Sequence, residues 1–217
     1  MSLQDKLDAV RAEDLAKSPP NATLARRRAV DGLVTSGLAE RAVQAGDEAP
    51  AFRLRDGNGK AFSSRDAICR GPVVLAFYRG RWCPYCTVDL RAIQLASHDI
   101  RRLGASLVVV SQQTPDNSLE TQRRNGLSFE SLVDPGGRVA NAFGLRWKAP
   151  DELRAVELES GLDLAAFNGD ASWTLTMPAR YVVAPTGAVE YADISSDYTK
   201  RGDPSEVFPV LAHLAAH

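Results

Sequence analysis

Two cysteines three residues apart, Cys83 and Cys86, stand in the stretch Phe77–Thr87, FYRGRWCPYCT. Such a pair can be a redox couple, half of a metal site, or two small buried hydrophobes. The apolar run Pro72–Tyr78 (PVVLAFY) reads as a strand covered on both faces. A four-residue loop follows, and Pro84 suits the first position of a helix. Cys83 then occupies the N-cap, where free backbone N–H groups and the positive end of the helix dipole favour thiolate over thiol. Arg79 and Arg81 add positive charge from the loop. Thiolate is the nucleophile and the species that peroxides oxidise. The carboxyl end of a central strand is also where open α/β sheets place their sites. Cys86 lies one turn on, so an internal disulfide is feasible and Cys86 is positioned to resolve an oxidised Cys83. Deeper in the helix, it is expected to be less exposed and less acidic.

The metal reading is weak, because structural zinc wants four ligands. There is no second Cys-x-x-Cys, and His98, His213 and His217 have no ligand-like spacing. No metal and no cofactor is expected. Cys69, in DAICRG, is expected to be a packed or inert thiol.

The elements that position this stretch can be read along the chain. With 217 residues, 44% of them hydrophobic, the sequence suits one domain with a sizeable core plus decoration. A formal net charge of -1 argues against a nucleic-acid binder, no run is long enough for a membrane span, and the N-terminus resembles no targeting signal. A cytoplasmic location is expected. Residues 1–45 read as two helices broken at Ser18–Asn21, with Asn21 as a cap. Arg26, Arg27 and Arg28 read as a solvated helix face. FRLRDGNGKAFS suggests a hairpin. From Pro84 a helical stripe of Leu90, Ile93, Ile100 and Leu103 runs to a stop at Gly104. Strands are expected at Ser106–Ser111 and Phe129–Asp134, a helix opening at Thr114-Pro115, and a short helix in GRVANAFGL. Residues 145–172 read as helical without a clear strand. A second hairpin turns at PTG within Arg180–Ile194, and a terminal helix is capped by Asp203, Pro204 and Glu206. This alternation implies an α/β fold with a mixed sheet and helices on both faces.

Five blocks resemble the alkyl hydroperoxide reductase/thiol-specific antioxidant (peroxiredoxin) family of the thioredoxin-fold superfamily, in its Cys-x-x-Cys branch. They are GDEAPAFRL, VVLAFYRGRWCPYCTVDLRAI, LVVVSQQTPDNS, SLVDPGGRVANAFGL and MPARYVVAPTGAVEYADISSDYTKR, spanning 46–201. The resemblance implies a thioredoxin-like domain over 46–217 behind an N-terminal helical extension at 1–45, with an insertion at about 145–172. It implies that Cys83 is the peroxidatic nucleophile, becoming a sulfenic acid. Cys86 would resolve it as a disulfide, and a thioredoxin-like or glutaredoxin-like dithiol would reduce that disulfide. Pro178 falls near the position where thioredoxins keep a cis-proline facing the site, so a cis Met177–Pro178 bond is expected. The sequence departs from the usual Pro-x-x-x-Thr-x-x-Cys at both landmarks, with Ala76 for Pro and Gly80 for the Thr that helps hold peroxide. Arg180 is nearest to the family's activating arginine, and Arg79 or Arg81 could substitute for it.

Gly80, Trp82 and Pro178 are the candidate substrate-contacting residues. Trp82 and Tyr85 could wall the sulfur or dock a partner. Trp147 and Trp173 could form a lid or simply pack, and Asp170 could approach the site. The N-terminal arm could pack on the body or on a second subunit, giving a homodimer. The expected function is a thiol peroxidase, with a thiol–disulfide oxidoreductase or a non-catalytic redox sensor as the competing readings.

Overall fold

The computed structural model describes residues 1–216, so His217 lies outside the described residues. Helices α1 (Leu3–Lys17), α2 (Pro20–Thr35) and α3 (Leu38–Arg41) precede the hairpin of β1 (Arg53–Asp56) and β2 (Ala61–Ser63). After α4 (Ser64–Ile68), the chain alternates β3 (Val73–Phe77), α5 (Pro84–Arg102), β4 (Ser106–Ser111), α6 (Pro115–Asn125), β5 (Glu130–Val133) and α7 (Arg138–Ala142). Then come β6 (Arg146–Lys148), α8 (Asp151–Glu159), α9 (Leu164–Asn168) and β7 (Thr174–Thr176). The hairpin of β8 (Ala179–Val183) and β9 (Val189–Ile194) and a final helix α10 (Val207–Ala215) complete the chain.

Seven strands form one mixed sheet in the order β2-β1-β5-β4-β3-β8-β9. β3, β4 and β5 are parallel, as their helical crossovers require, while β8 runs antiparallel to β3 and β1 antiparallel to β5. Every residue of β3 is buried, and its side chains alternate between two cores. Val74 and Ala76 join Tyr85, Cys86, Leu90 and Ile93 of α5 on one face, whereas Val73, Leu75 and Phe77 meet Phe143 and Tyr181 on the other. Burial on both faces explains why the strand reads as a continuous apolar run. Leu3 and Leu7 of α1 close the first core beside α5.

Four local expectations need correction. Residues 145–172 do contain a strand: β6 pairs antiparallel with β7 in a separate two-stranded sheet, and three residues, Arg-Trp-Lys, are too few to show a period of two. Asn21 is inside α2. The cap is Pro19 and Pro20 takes the first helical position, where a missing N–H breaks no helical bond. The chain contains no cis peptide bond among the described residues, so Met177–Pro178 is trans. Arg26 is not solvated. It makes a bidentate pair with Glu157 of α8, Nε to Oε1 at 3.0 Å and Nη2 to Oε2 at 2.9 Å, and this ties α2 to α8. Arg27 and Arg28 do lie on the exposed face.

Candidate active site

β3 delivers the site. Tyr78 N–H still bonds the Val110 carbonyl at 3.0 Å, extending the ladder one residue beyond the strand before the chain turns. Gly80 has φ +148, in the region that favours glycine. A Cβ there would stand 2.6 Å from Trp82 Nε1. Gln113, fully buried, pins the loop. Its Oε1 accepts from Arg81 N–H at 3.0 Å, and its Nε2 donates to Tyr78 Oη and Thr121 Oγ1, both at 2.8 Å. Cys83 N–H then bonds the Gly80 carbonyl at 3.1 Å, Cys83 is the N-cap of α5, and Pro84 is its first helical residue.

Both sulfurs are buried, each cysteine being 1% exposed, and both cysteines are free thiols. Arg79 Nη1 is 3.7 Å from Cys83 Sγ, while the Arg79 backbone N–H points at Cys86 Sγ from 3.4 Å. The Arg79 guanidinium is held between two rings, 4.4 Å from the centre of Trp82 and 4.0 Å from that of Tyr198, a cation–π arrangement that fixes its position. Tyr198 in turn meets Tyr85 edge-on at 5.4 Å. Arg201 Nη2 lies 3.9 Å from Cys86 Sγ. Behind it Asp89, one turn along α5, pairs with Arg180 Nη2 at 2.6 Å and faces Arg201 Nε at 3.6 Å.

These charges separate the two thiols. Burial opposes ionisation of Cys83, but the Cys86 thiol, Arg79, Arg201 and the Cys86 backbone N–H outweigh it and bring the pKa down to about 6. Burial pushes Cys86 well above the ordinary thiol value, and the hydrogen bond and negative charge of Cys83 push it further. The expected difference in acidity therefore holds, although the two cysteines are equally buried. A small cavity of about 10 Å³, room for roughly one water-sized group, adjoins Arg79 and is lined by Met177, Pro178, Trp147 and Tyr198, with Val30 and Leu33 of α2 above it.

A sequence model of the AhpC/TSA family matches residues 45–192. The chain belongs to the AhpC/TSA family. Among curated relatives of this family member, a putative chloroplastic peroxiredoxin Q of Oryza sativa subsp. indica is 30% identical over 139 residues, covering 64% of this chain and 59% of that protein. The thiol-disulfide oxidoreductase ResA of Halalkalibacterium halodurans is 31% identical over 106 residues, covering 48% of this chain and 58% of that protein. The chain thus matches somewhat less than two thirds of the length of these relatives. Among solved structures, the peroxidoxin BcpB of Mycobacterium tuberculosis superposes with a TM-score of 0.61 at 20% identity, covering 80% of this chain and 97% of that one. The fold is the thioredoxin-like fold of peroxiredoxins.

In this AhpC/TSA member the expected residues do not all converge. Arg79, Gly80, Trp82, Cys83 and Cys86 gather in the loop and first helical turn at the sulfurs, while Pro178 lines the small cavity on the other side of Arg79, which neither cysteine lines. Arg81 turns away, its Nε donating to Asn117 Oδ1 at 2.8 Å and its guanidinium lying over Phe167. Arg180 sits one layer behind, bonded to Asp89 and to the Gly202 carbonyl. Trp147 and Trp173 pack with Ala22, Ala25 and Ala29 of α2 and with Leu153 and Val156 of α8, and Trp147 also lines the cavity. Asp170 is occupied by Ser172 within its own turn. Cys69 is exposed rather than packed, because it ends the short α4 at the surface. Among the described residues no group of three or more His, Cys, Asp or Glu is arranged to hold a metal ion, and no helix is long and apolar enough to cross a membrane.

Four residues at the site were not singled out from the sequence: Gln113, Asp89, Tyr198 and Arg201. Only Asp89 carried a local signal. It lies three residues beyond Cys86, a charged residue on the buried side of an amphipathic helix.

Proposed function

We propose that this protein is a thiol peroxidase that reduces hydrogen peroxide or small organic hydroperoxides through Cys83. The observation that carries this reading is the Cys83 sulfur at a helix N-cap with Arg79 Nη1 at 3.7 Å, an environment that holds it as thiolate at neutral pH. The thiolate attacks the terminal peroxide oxygen. The S–O bond forms, the O–O bond breaks, and water or an alcohol leaves after taking a proton, so that the sulfur is oxidised by two electrons. Arg79 faces the place where negative charge develops on the leaving oxygen. With Gly80 where the family's Thr stands, no hydroxyl is offered there, and the Arg79 guanidinium beside Cys83 takes over the holding of peroxide. Cys86 then attacks the sulfenic sulfur, a disulfide forms and water leaves. A thioredoxin-like or glutaredoxin-like dithiol restores both thiols by exchange. A reducing cytosol suits this cycle.

In this reading residues 46–217 are the catalytic domain, residues 1–45 the extension, and the segment around 145–172 an insertion that meets the extension at the Arg26–Glu157 pair. Trp82 lies against Arg79, so its fluorescence should report the cycle. Rapid mixing of the reduced protein with peroxide should give a fast, peroxide-dependent change that Cys83→Ser abolishes. Cys86→Ser should retain a single oxidation and lose turnover with a thioredoxin system. Oxidation of Cys83 no faster than that of free cysteine would overturn the reading.

The similarity to a thiol-disulfide oxidoreductase, together with Gly80, favours a second reading, disulfide exchange as the main activity. Reduction of insulin or glutathione disulfide at a rate exceeding peroxide turnover would select it; no reaction with either disulfide would remove it.

A further inference from the structure

Two arginines are buried at the two sulfurs, Arg79 and Arg201, with Asp89 and Arg180 one layer behind them, each less than one-tenth exposed. Two of the donors converge on Cys86 rather than Cys83. The Arg79 backbone N–H stands 3.4 Å from Cys86 Sγ and Arg201 Nη2 stands 3.9 Å from it. Arg201 is held there from several sides. Its Nη1 donates to the carbonyls of Tyr198 and Lys200, and its Nε faces Asp89 Oδ2 at 3.6 Å. Cys86 therefore sits in a pocket of fixed donors suited to an anion. In the reduced protein, however, the Cys86 thiol and Arg79 favour ionisation of Cys83, while burial and the adjacent Cys83 charge oppose ionisation of Cys86. Donors fixed in advance at an atom that is not yet charged are the arrangement expected where charge develops during a reaction.

We propose that Arg201 is a catalytic residue of the resolving step, holding the negative charge on Cys86 as that sulfur attacks oxidised Cys83, with Asp89 as its positioning residue. This rests on the peroxidase reading above and deepens it. In the step itself, the Cys86 S–H proton is given up and the Cys86–Cys83 S–S bond forms. The Cys83 S–O bond breaks, and the departing hydroxide takes a proton and leaves as water. The peroxide already consumed is the oxidant for the whole sequence. The same geometry sets the order of events. While Cys83 is a thiolate, its charge lies beside Cys86 and opposes a second thiolate. Oxidation to the neutral sulfenic acid removes that charge, and the donors from Arg79 and Arg201 are then unopposed except by burial. Cys86 is thus silent until Cys83 has reacted.

The test separates the two steps. Reduced protein is mixed with hydrogen peroxide and followed by tryptophan fluorescence, while a 1,3-dione added at timed intervals traps the sulfenic acid for mass spectrometry. The wild type should show a peroxide-dependent phase followed by a peroxide-independent one. Arg201→Gln should slow the second phase about threefold to tenfold, because a pKa rise of about 1–2 at Cys86 lowers its thiolate fraction while a Brønsted slope of about 0.4–0.5 returns part of the rate, and sulfenic acid should accumulate. The first phase should fall by less, because Arg79 remains at Cys83. Arg201→Lys, which keeps the charge, should recover part of the second phase, and Asp89→Asn should slow it partially. Arg201→Gln leaves Asp89 paired with Arg180, so the fold has reason to persist, and circular dichroism checks that it does. A second phase unchanged in Arg201→Gln, or slowed no more than the first, overturns the assignment of Arg201. A wild type with no peroxide-dependent phase overturns the peroxidase reading itself, and with it this step.

Discussion

The sharpest perturbation of the site is Arg79→Met, which removes one charge while keeping an unbranched side chain between Trp82 and Tyr198. Arg79 Nη1 stands 3.7 Å from Cys83 Sγ in a buried setting. An opposite charge at such a distance changes a pKa by about 1–3, each pH unit corresponding to about 1.4 kcal/mol. The Cys86 thiol and Arg201 also favour the Cys83 thiolate and remain in the variant, so a rise of about 2 is expected, from about 6 to roughly 8. At pH 7 the thiolate fraction should fall from about nine-tenths to about one-tenth. A single rate at pH 7 would disguise this. The more basic thiolate is the stronger nucleophile, and a Brønsted slope of about 0.4–0.5 returns most of the lost rate. The titration itself is therefore the assay. Thiolate absorbance near 240 nm, or alkylation rate against pH, should be measured in a Cys69→Ser background so that the exposed thiol does not contribute. A midpoint that stays near 6 in Arg79→Met would refute the argument that Arg79 sets the acidity of Cys83.

Stability should follow the same group. The folded pKa of Cys83 is lowered, so the unfolded chain binds the proton that the folded protein releases between about pH 6 and about pH 9. The stabilisation is complete above that window and lost as pH falls through about 6. Chemical denaturation of reduced wild type and Cys83→Ser should therefore diverge as pH rises from 6 to 8, by at most about 1.4 kcal/mol per pH unit. Parallel curves would contradict it. Gly80→Thr, which restores the family's usual residue, should lower stability by about 1–3 kcal/mol and slow the peroxide phase instead of accelerating it. The position has φ +148, and a Cβ would meet Trp82 at 2.6 Å; a faster, equally stable variant would show that the loop adapts. Glu157→Gln breaks the bidentate pair with Arg26, whose side chains are 8% and 18% exposed, and should cost about 2 kcal/mol in urea denaturation. A change under about 0.5 kcal/mol would mean the pair adds nothing to the joining of α2 and α8.

What the sequence disclosed and what it concealed divide along chain distance. The helix N-cap at Cys83, Pro84 at the first helical position, the β3 run and the Asp203–Glu206 capping box are each encoded within a few residues, and each stands where local chemistry places it. An Arg-Arg-Arg run on a helix looks the same whether or not a partner arrives from elsewhere, and the partner of Arg26, Glu157, arrives from 131 residues away. Arg201, 115 residues from Cys86, gave no sign of its position because only the antiparallel pairing of β8 with β3 and β9 with β8 carries the following segment back over α5. Arg81 shows the converse: adjacency to Trp82 and Cys83 promised a contact, but Asn117 and Phe167 drew its side chain to α6 and α9. Chain proximity says which residues can reach a site; which of them do is decided by the partners that compete for them.

The charge balance around the sulfurs explains why Arg79 stands in the loop before this cysteine pair. Arg79, Arg180 and Arg201 are all buried, and Asp89 is the carboxylate that pairs with two of them. A buried cation without a close partner is costly, and a Cys83 thiol would leave Arg79 with the faces of Trp82 and Tyr198 and the more distant charge of Glu157. Ionising Cys83 supplies the missing anion within the same core. Thiolate at Cys83 is thus favoured by the packing of the fold as well as by the helix terminus. Oxidation, which neutralises that sulfur, must loosen the grip on Arg79 or transfer it to Cys86. The Arg79 backbone N–H and Arg201 at Cys86 are already placed for the transfer.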